Sequence, residues 1–377
     1  MRLFQYIYSN DSGWSSNLDS SFDSPDTVIL IFSSPDISLV TKPLNDLTLA
    51  FPNSKFMGCS TSGEIVDNTL SIDRFVVQII QFEKSRLRLV HIKVTDANSS
   101  KDIGKQLAQN LKDKDLKSIF ILSDGLNVNG SQLTEGISSI DLKDVIITGG
   151  LAGDDYKFEK TWTIVDKKPQ EGYVSALGIY GKELYIGYGS QSGWNTLGVR
   201  REVTLSADNI LYELDNQPAL KLYKHYLGKR AEGLPSTGLL FPLGIYHGTN
   251  EIKVRTILGV DEKRQSITFA GDIPQGSIVT LMKSNFNDLI KGATDAVKAI
   301  KLDSNIKPPL LSIAISCLGR RLVLGPRVED EIEAVFDMLP KGTTQIGYYS
   351  YGEISLVNSG KCDLFNQTMT LTLIGEY

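Results

Sequence analysis

The sequence predicts an α/β (α+β) protein of two tandem related domains, in which helices cover mixed β-sheets built from duplicated strand–helix–strand units. Short apolar runs alternate with segments that repeat their apolar residues at helical period. A glycine-rich pattern that ends in a glycine and an acid occurs three times. At 377 residues the chain is also longer than a typical single domain. We therefore predict an N-terminal domain over residues 1–200 and a C-terminal domain over residues 201–377.

Nearly continuous apolar runs in the first half indicate strands that are buried on both faces. The predicted strands of this half are 27–33, 75–82, 87–94, 119–122, 145–147, 161–165, 174–180 and 184–188. Helices are predicted over 37–49, over 100–111 and over 131–139. The strands and helices alternate, as expected for a protein in which helices pack on a sheet.

The second half has the same mixture of elements. Apolar spacing predicts a short helix over 210–214, a second helix that starts near Pro218 and ends at Gly228, and helices over 285–300 and 329–339. Strands are predicted over 241–246, 254–260, 266–270 and 310–316, with a last strand at the C-terminus.

Three segments share what we call the glycine signature. They are Gly58–Ile65, Gly149–Asp154 and Gly347–Ile354. Each follows the order strand, polar turn, helix, strand, and each is followed by a further strand, which indicates a duplicated unit. Ligands favour the strand ends of such sheets, so the signatures are candidates for the rim of a cleft. The alternative is that similar β–α–β units share glycine turns by chance.

Composition and charge exclude several classes of protein. The net charge of −5 argues against a nucleic-acid partner, because phosphate binding requires a basic field. No apolar run is long enough to span a bilayer, so we expect no membrane partner, and the N-terminus has no signal-peptide core. Three cysteines without a Cys-x-x-Cys pair fit a reducing cytoplasm. We therefore expect a cytoplasmic protein.

The signatures supply most of the candidate ligand-binding residues. Their acids are Glu64, Asp154 and Glu353, which either bind the amino group of a ligand or hold the shape of the loop. Gly63 and Gly352 allow close approach to the backbone. Ser60, Tyr349 and Tyr351 offer hydroxyl groups, and the two tyrosines share a face if their segment is extended.

Other candidates lie beside the signatures. Arg320 and Arg321 follow a predicted strand, where a guanidinium group can clamp a carboxylate, although a surface ion pair is the alternative. Trp194 beside Gly193 either covers a cleft or anchors the core. Cys59 and Cys317 follow strands at glycine-rich turns and either face a ligand or act as small buried apolar residues.

The sequence offers little that points to catalysis or to a metal. A nucleophilic Cys59 or Cys317 requires a nearby base, and the chain has three histidines, none in a recognisable partner motif. His91, His225 and His247 are each candidates to ligate haem iron, and haem would be noncovalent because no Cys-x-x-Cys-His motif is present. We expect no catalytic residues and no dedicated metal site.

These segments together resemble the FIST domain family, a sensory module of F-box and intracellular signal-transduction proteins, over almost the whole chain. The resemblance rests on the three glycine signatures together with Gly193-Trp194, Phe241-Pro242-Leu243, Ser316-Cys317-Leu318-Gly319-Arg320 and Asn366-Gln367-Thr368. The family pattern often places a histidine just before Asn-Gln-Thr, and this chain has Phe365 there.

The resemblance implies a sensor with an N-terminal and a C-terminal FIST unit and no enzymatic activity of its own. It implies an amino-acid-like ligand in a glycine-rich cleft. It also implies a separate partner, such as the histidine kinase of a two-component system or a cyclic-di-GMP enzyme. Some family members resemble haem-binding nitric-oxide sensors, which is the alternative function, and a cysteine-dependent hydrolase or transferase is a more distant one.

Overall fold

The computed structural model describes residues 1–155, 157–247, 251–357 and 359–377. The strands of the first half are β1 (Arg2–Ser9), β2 (Gly13–Trp14), β3 (Thr27–Ser33), β4 (Lys55–Ser60), β5 (Glu64–Val66), β6 (Thr69–Ser71), β7 (Phe75–Gln81), β8 (Arg86–Lys93), β9 (Leu116–Ser123), β10 (Ile146–Leu151), β11 (Thr163–Val165), β12 (Lys168–Gln170), β13 (Tyr173–Tyr180) and β14 (Leu184–Gln191). Those of the second half are β15 (Asn195–Ala207), β16 (Ile210–Leu214), β17 (Gln217–Pro218), β18 (Leu243–His247), β19 (Glu251–Arg255), β20 (Ile257–Asp261), β21 (Ser266–Phe269), β22 (Ile278–Lys283), β23 (Leu310–Cys317), β24 (Thr343–Ser350), β25 (Glu353–Leu356), β26 (Cys362–Phe365) and β27 (Met369–Glu376).

The α-helices of the described residues are α1 (Ile37–Ala50), α2 (Ser100–Leu111), α3 (Gly130–Ser138), α4 (Ala219–Leu227), α5 (Phe286–Ala299), α6 (Leu318–Leu324) and α7 (Val328–Met338). The helix α5 begins where the Asn285 side chain accepts a hydrogen bond from the backbone N–H of Asp288, and its apolar face is buried. None of these helices combines the length and the apolar character that a membrane crossing requires.

Three of the four sheets are built on one plan, which confirms the predicted duplication. Each contains a parallel pair of strands, β3 with β4, β9 with β10, and β23 with β24. The first strand of each pair also pairs antiparallel with a later strand, β7, β13 or β27. An outer strand, β1, β8 or β14, completes each unit. We call these three units together the core.

Each unit sends a short hairpin to the sheet of another unit. The hairpin β5–β6 of the first unit pairs with β24 of the third. The hairpin β11–β12 of the second unit pairs with β4 of the first, and β25–β26 of the third pairs with β10 of the second. The exchange is therefore cyclic, and every unit depends on another for one edge of its sheet.

The glycine signatures lie where the chain crosses between sheets. A Cβ atom added to Gly58, Gly149 or Gly347 would lie 2.4, 1.9 or 1.9 Å from a carbonyl oxygen of the neighbouring parallel strand. Only glycine allows two backbones to approach so closely. The acid of the first and third signatures then opens the exchanged hairpin, at Glu64 of β5 and Glu353 of β25.

The fourth sheet forms a module inserted into the third unit between β14 and β23. We call residues 195–283 the inserted module; its sheet has the order β19-β18-β22-β15-β16-β21-β20, with β17 paired to β16. Helix α4 packs on this sheet in an apolar cluster that includes Leu220, Tyr223 and Phe269.

The elements of the inserted module differ most from prediction. The apolar residues Ile210, Leu211 and Leu214 belong to strand β16 and not to a helix, so that prediction is wrong. The single strand predicted over 254–260 is two strands that are interrupted at Thr256. The predicted domain boundary at residues 200 and 201 lies inside β15 and stays a prediction.

Candidate functional site

A cavity of about 590 Å³ lies between the core and the inserted module. On the core side, Gly125 follows β9, Leu151 ends β10, Cys317 ends β23 and Ser350 ends β24. These are carboxyl ends of parallel strands, where open α/β sheets bind their ligands. The volume is also typical of small-molecule sites, which measure roughly 300–1,000 Å³. We call this space the central cavity.

Tyr351 forms part of the core wall of the central cavity. Its hydroxyl group hydrogen-bonds to the Asp154 carboxylate, and its ring stacks on Phe158 with the centroids 4.8 Å apart. Asp154 also accepts backbone hydrogen bonds from Phe158, Glu159 and Lys160 at 2.8–2.9 Å. Burial opposes ionisation of Asp154, but the hydrogen bonds outweigh it and lower the pKa of the carboxyl. Asp154 therefore positions two residues of the wall.

Asp272 is the acid on the module side of the central cavity. Its Oδ1 accepts a hydrogen bond of 3.0 Å from the Asn129 amide, and its backbone N–H donates to Ser131 Oγ at 3.2 Å. Both contacts join the module to the start of α3 in the core. Burial raises the pKa of the Asp272 carboxyl above its ordinary value, while Asn129 and the nearby Arg255 oppose that shift.

Apolar side chains make up most of the remaining wall. Leu126, Leu151 and Leu318 come from the core, and Ile257, Leu258 and Phe269 come from the module. Leu258 and Phe158 are 41% and 48% exposed, which places them at the mouth of the cavity. A ligand in this space would therefore contact an apolar surface over most of its area.

The acids of the first and third signatures do not line the central cavity. Glu353 is fully buried and accepts hydrogen bonds from Ser350 Oγ at 2.7 Å and from Thr368 Oγ1 at 2.8 Å. Glu64 is buried in the same way and accepts from Thr61 Oγ1 at 2.5 Å. In both cases one donor lies three residues before the acid, so the carboxyl holds the crossover loop in shape.

Except for Ser350 and Tyr351, which line the cavity, the other predicted residues of these signatures are also packed away from it. Cys59 and Ser60 lie in the buried strand β4, and Ser60 Oγ accepts from the Trp162 backbone N–H at 3.1 Å. Gly63 has a φ of +116° at the crossover. Gly352 lies just behind the wall, because an added Cβ atom would lie 3.2 Å from Leu151.

Arg320 is directed into the core and not into the cavity. It forms a fully buried ion pair with Glu331 and donates to the carbonyl oxygen of Leu289 at 2.7 Å. Tyr349 joins the same network through a 3.0 Å hydrogen bond to Glu331. Because β24 ends at Ser350, Tyr349 and Tyr351 do not lie on one extended face: the first is in the core and the second faces the cavity.

Arg321 and Trp194 also serve the scaffold. Arg321 Nη1 contacts Asp155 Oδ1 at 2.6 Å at the crossover of the second unit. Trp194 is buried in an apolar cluster with Leu289 and Met282. Their predicted role in ligand binding stays a prediction, and neither side chain lines the central cavity.

The cysteines are buried and free. Burial raises the pKa of the Cys59 and Cys317 thiols, which keeps both neutral. Cys317 lines the central cavity, and Cys59 lies in the buried strand β4. The nearby carboxyl groups, Glu64 for Cys59 and Glu353 for Cys317, raise the pKa of the thiols further, so nothing in the described residues supports a cysteine nucleophile.

The residues around the central cavity do not fit a histidine-ligated haem. His91 is in β8, where its Nδ1 lies 2.8 Å from Ser175 Oγ, and His225 is on α4. The described lining residues include no histidine, and the described part of the chain has no group of three metal-ligating side chains. The side chain of His247 lies outside the described residues. Phe365 lines a separate groove of about 640 Å³ beside β14.

Sequence reasoning did not find Asp272, Asn129 or the apolar residues of the module. One signal was available, because Gly271-Asp272 repeats the glycine–acid pair of the three signatures. The residues that the inserted module contributes to the cavity wall could not be predicted from the sequence. They depend on which surface of the inserted sheet faces the core. Among the predicted residues, Tyr351 and Cys317 line the cavity and Asp154 supports it.

The sequence matches two family models in tandem, the FIST N domain over residues 27–217 and the FIST C domain over residues 219–355. FIST domains are associated with sensory signal transduction. The chain is also 24% identical over 340 residues to the uncharacterized protein MJ1623 of Methanocaldococcus jannaschii, a match that covers 80% of this chain and 64% of the relative. The crystal structure of a cyanuric acid hydrolase from A. caulinodans aligns with 100% of this chain and 98% of its own, with 7% identity and a TM-score of 0.39.

The two family models together account for most of the chain and for all three glycine signatures. The protein therefore belongs to the FIST family, with an N-terminal and a C-terminal FIST domain in tandem.

Proposed function

We propose that this protein is a cytoplasmic sensor that binds a small, amino-acid-like molecule in the central cavity. The observation that carries the proposal is the cavity itself. It has about 590 Å³ of space, walls that are mostly apolar, and a polar end at Asp272 and Asn129. Small-molecule sites commonly combine an apolar lining with a few well-placed polar groups. The buried free cysteines fit a reducing compartment.

The position of the central cavity suggests how binding is transmitted. Its walls come from both the core and the inserted module, so a bound molecule would contact both and favour one arrangement of the two. We propose that this arrangement controls a separate partner. A histidine kinase or a cyclic-di-GMP enzyme is the partner class that the family resemblance suggests.

Thermal-shift screening of the whole protein against amino acids and related metabolites tests the proposal, because a ligand that binds only the folded state raises the melting temperature. A variant that blocks the mouth of the cavity identifies the site. We expect Leu258→Trp to remove the shift, since Leu258 lines the cavity and is 41% exposed.

Leu49→Trp is the matched control, because Leu49 is 82% exposed on α1 and does not line the cavity. We expect it to keep the wild-type shift. If no compound stabilises the wild-type protein, or if Leu258→Trp responds as the wild type does, the proposed site is contradicted.

A further inference from the structure

Four polar side chains at the central cavity have used a donor on another protein group, whereas the Thr256 hydroxyl group, which also lines the cavity, is buried without a hydrogen-bond partner among the described residues. The Tyr351 hydroxyl group donates to Asp154 and the Ser350 hydroxyl group donates to Glu353. The Asn129 amide donates to Asp272, and the Asn209 amide donates to the carbonyl oxygen of Phe269 at 2.7 Å. Each amide retains one further N–H. The side-chain donors left to a ligand in the described wall are therefore these two amide N–H groups and the hydroxyl groups of Thr256 and Ser236, and none of them is charged.

Acceptors remain available at the module side. Asp272 uses Oδ1 for Asn129, and its Oδ2 has no hydrogen-bond partner among the described residues. The same holds for Oδ1 of Asn209, whose amide nitrogen is engaged. A carboxylate oxygen and an amide oxygen on the inserted module thus favour a ligand that donates hydrogen bonds, and the carboxylate favours one that is positively charged.

A carboxylate finds no positively charged side chain among the described lining residues of this cavity, which include no lysine, arginine or histidine. The cation Arg255 is 2% exposed and lies behind Gly271, where an added Cβ atom would be 2.9 Å from the guanidinium carbon. Arg255 donates to the carbonyl oxygens of Asp272 and Leu364 at 3.2 and 3.0 Å. A ligand carboxylate in this cavity would lose its hydration and meet only neutral donors, which is costly for a charged group.

From these contacts we infer that the ligand is an organic amine with an apolar body and without a free carboxylate group. Its ammonium group would bind Asp272, and its body would contact Leu126, Phe269 and Tyr351. The inference rests on the small-molecule site of the proposed function, and it narrows the amino-acid-like ligand to one that keeps the amino group and lacks the carboxylate.

The test uses the whole protein and sets of three compounds that share one apolar body. Examples are 2-phenylethylamine, phenylalanine and 3-phenylpropionate, with alkyl sets of several lengths beside them. Isothermal titration should give the tightest binding for the amine of a set and the weakest for the carboxylate. Asp272→Asn should weaken amine binding by roughly tenfold or more, because it removes a charged acceptor. The new amide oxygen can still accept from Asn129.

Asp208→Asn is the control, because Asp208 is exposed and does not line the cavity. We expect it to keep amine affinity within about twofold, since an exposed charge acts weakly through solvent. If amino acids or carboxylates bind as tightly as their matched amines, or if Asp272→Asn binds amines as the wild type does, the inference is overturned while the small-molecule site stands. If no compound of any class binds, both the inference and the proposed function are overturned.

Discussion

Arg320 illustrates at the residue scale how a predicted ligand contact becomes part of the scaffold. Its side chain and that of Glu331 are both 0% exposed. Removal of one partner from a buried ion pair leaves the other charge unpaired, which costs about 3–5 kcal/mol. We expect Arg320→Ala to lower the free energy of unfolding by that order, as measured by urea denaturation.

Arg321→Ala serves as the control for Arg320→Ala, because Arg321 and Asp155 are 16% and 45% exposed. Exposed pairs contribute about 0–1 kcal/mol. A loss for Arg321→Ala that equals the loss for Arg320→Ala would contradict the assignment of Arg320 to the core.

Glu64 predicts a pH dependence of stability. Burial, opposed by the hydrogen bond from Thr61, raises the pKa of this carboxyl from 4.5 to about 8. Between these two values the folded protein holds a proton that the unfolded chain has released, so the stability contributed by this group is lost as the pH rises. We expect Glu64→Gln to lose less stability than the wild type between about pH 5 and about pH 8.

The comparison for Glu64 is made by urea denaturation of both proteins at each pH. Equal losses in the wild type and in Glu64→Gln would show that Glu64 does not bind a proton preferentially in the folded state.

The residue types in the signatures predicted what kind of segment each one forms, but not whether its side chains face a cavity. Glycine, hydroxyl groups and an acid together predict a bent, polar backbone segment, and the structure has such segments at all three crossovers. Sequence alone does not distinguish an acid that holds its own loop, such as Glu353, from one that faces a cavity, such as Asp272. The two acids differ in their hydrogen-bond donors: Glu353 accepts from Ser350 of its own loop, whereas Asp272 accepts from Asn129 of a distant element. The tertiary fold decides which donors are available.

At the scale of elements, the parallel strand pairs depend on close backbone approach at the signatures. A Cβ atom on Gly347 would lie 1.9 Å from the carbonyl oxygen of Ala314. We expect Gly347→Ala to lower the free energy of unfolding by at least the roughly 1–3 kcal/mol that is typical of overpacking, measured by denaturation.

Gly259→Ala is the control for Gly347→Ala, because no atom lies within 4 Å of an added Cβ at that position in β20. It should leave stability nearly unchanged. Similar stability for the two variants would contradict the role of Gly347 in strand pairing.

Long elements were predictable because they carry a periodic pattern over many residues. Strand β3 and helix α5 are examples, with a fully buried run and a continuous apolar face. Strand β16 was predicted as a helix because it has only five residues. Its apolar positions 210, 211 and 214 are too few to distinguish the helical repeat from the strand repeat. The six exchanged strands have only three or four residues each, too few to show a pattern.

At the scale of the whole molecule, the cyclic exchange of hairpins links the three units. Residues 1–217 alone would leave β5 without β24, β10 without β25 and β14 without β27. We expect this fragment to show no cooperative unfolding transition, whereas co-expression with residues 218–377 should restore one. Cooperative unfolding of residues 1–217 alone would contradict the dependence of the units on each other.

The duplication was predictable from the order of elements, but the exchange was not. Pairing between β24 and β5 joins residues about 280 positions apart in the sequence, as in Gly347 with Ile65. No local pattern specifies such a partner. The central cavity was unpredictable for the same reason, because its walls come from the inserted module and from the core, which meet only in the folded protein.

The central claim is that the cavity between the core and the inserted module binds a small molecule. The most direct measurement is a crystal structure of the protein with the tightest ligand from the screen. We predict density within the central cavity, in contact with Asp272 on one side and with Tyr351 on the other. Ligand density at another place, with the central cavity filled only by solvent, would contradict the claim.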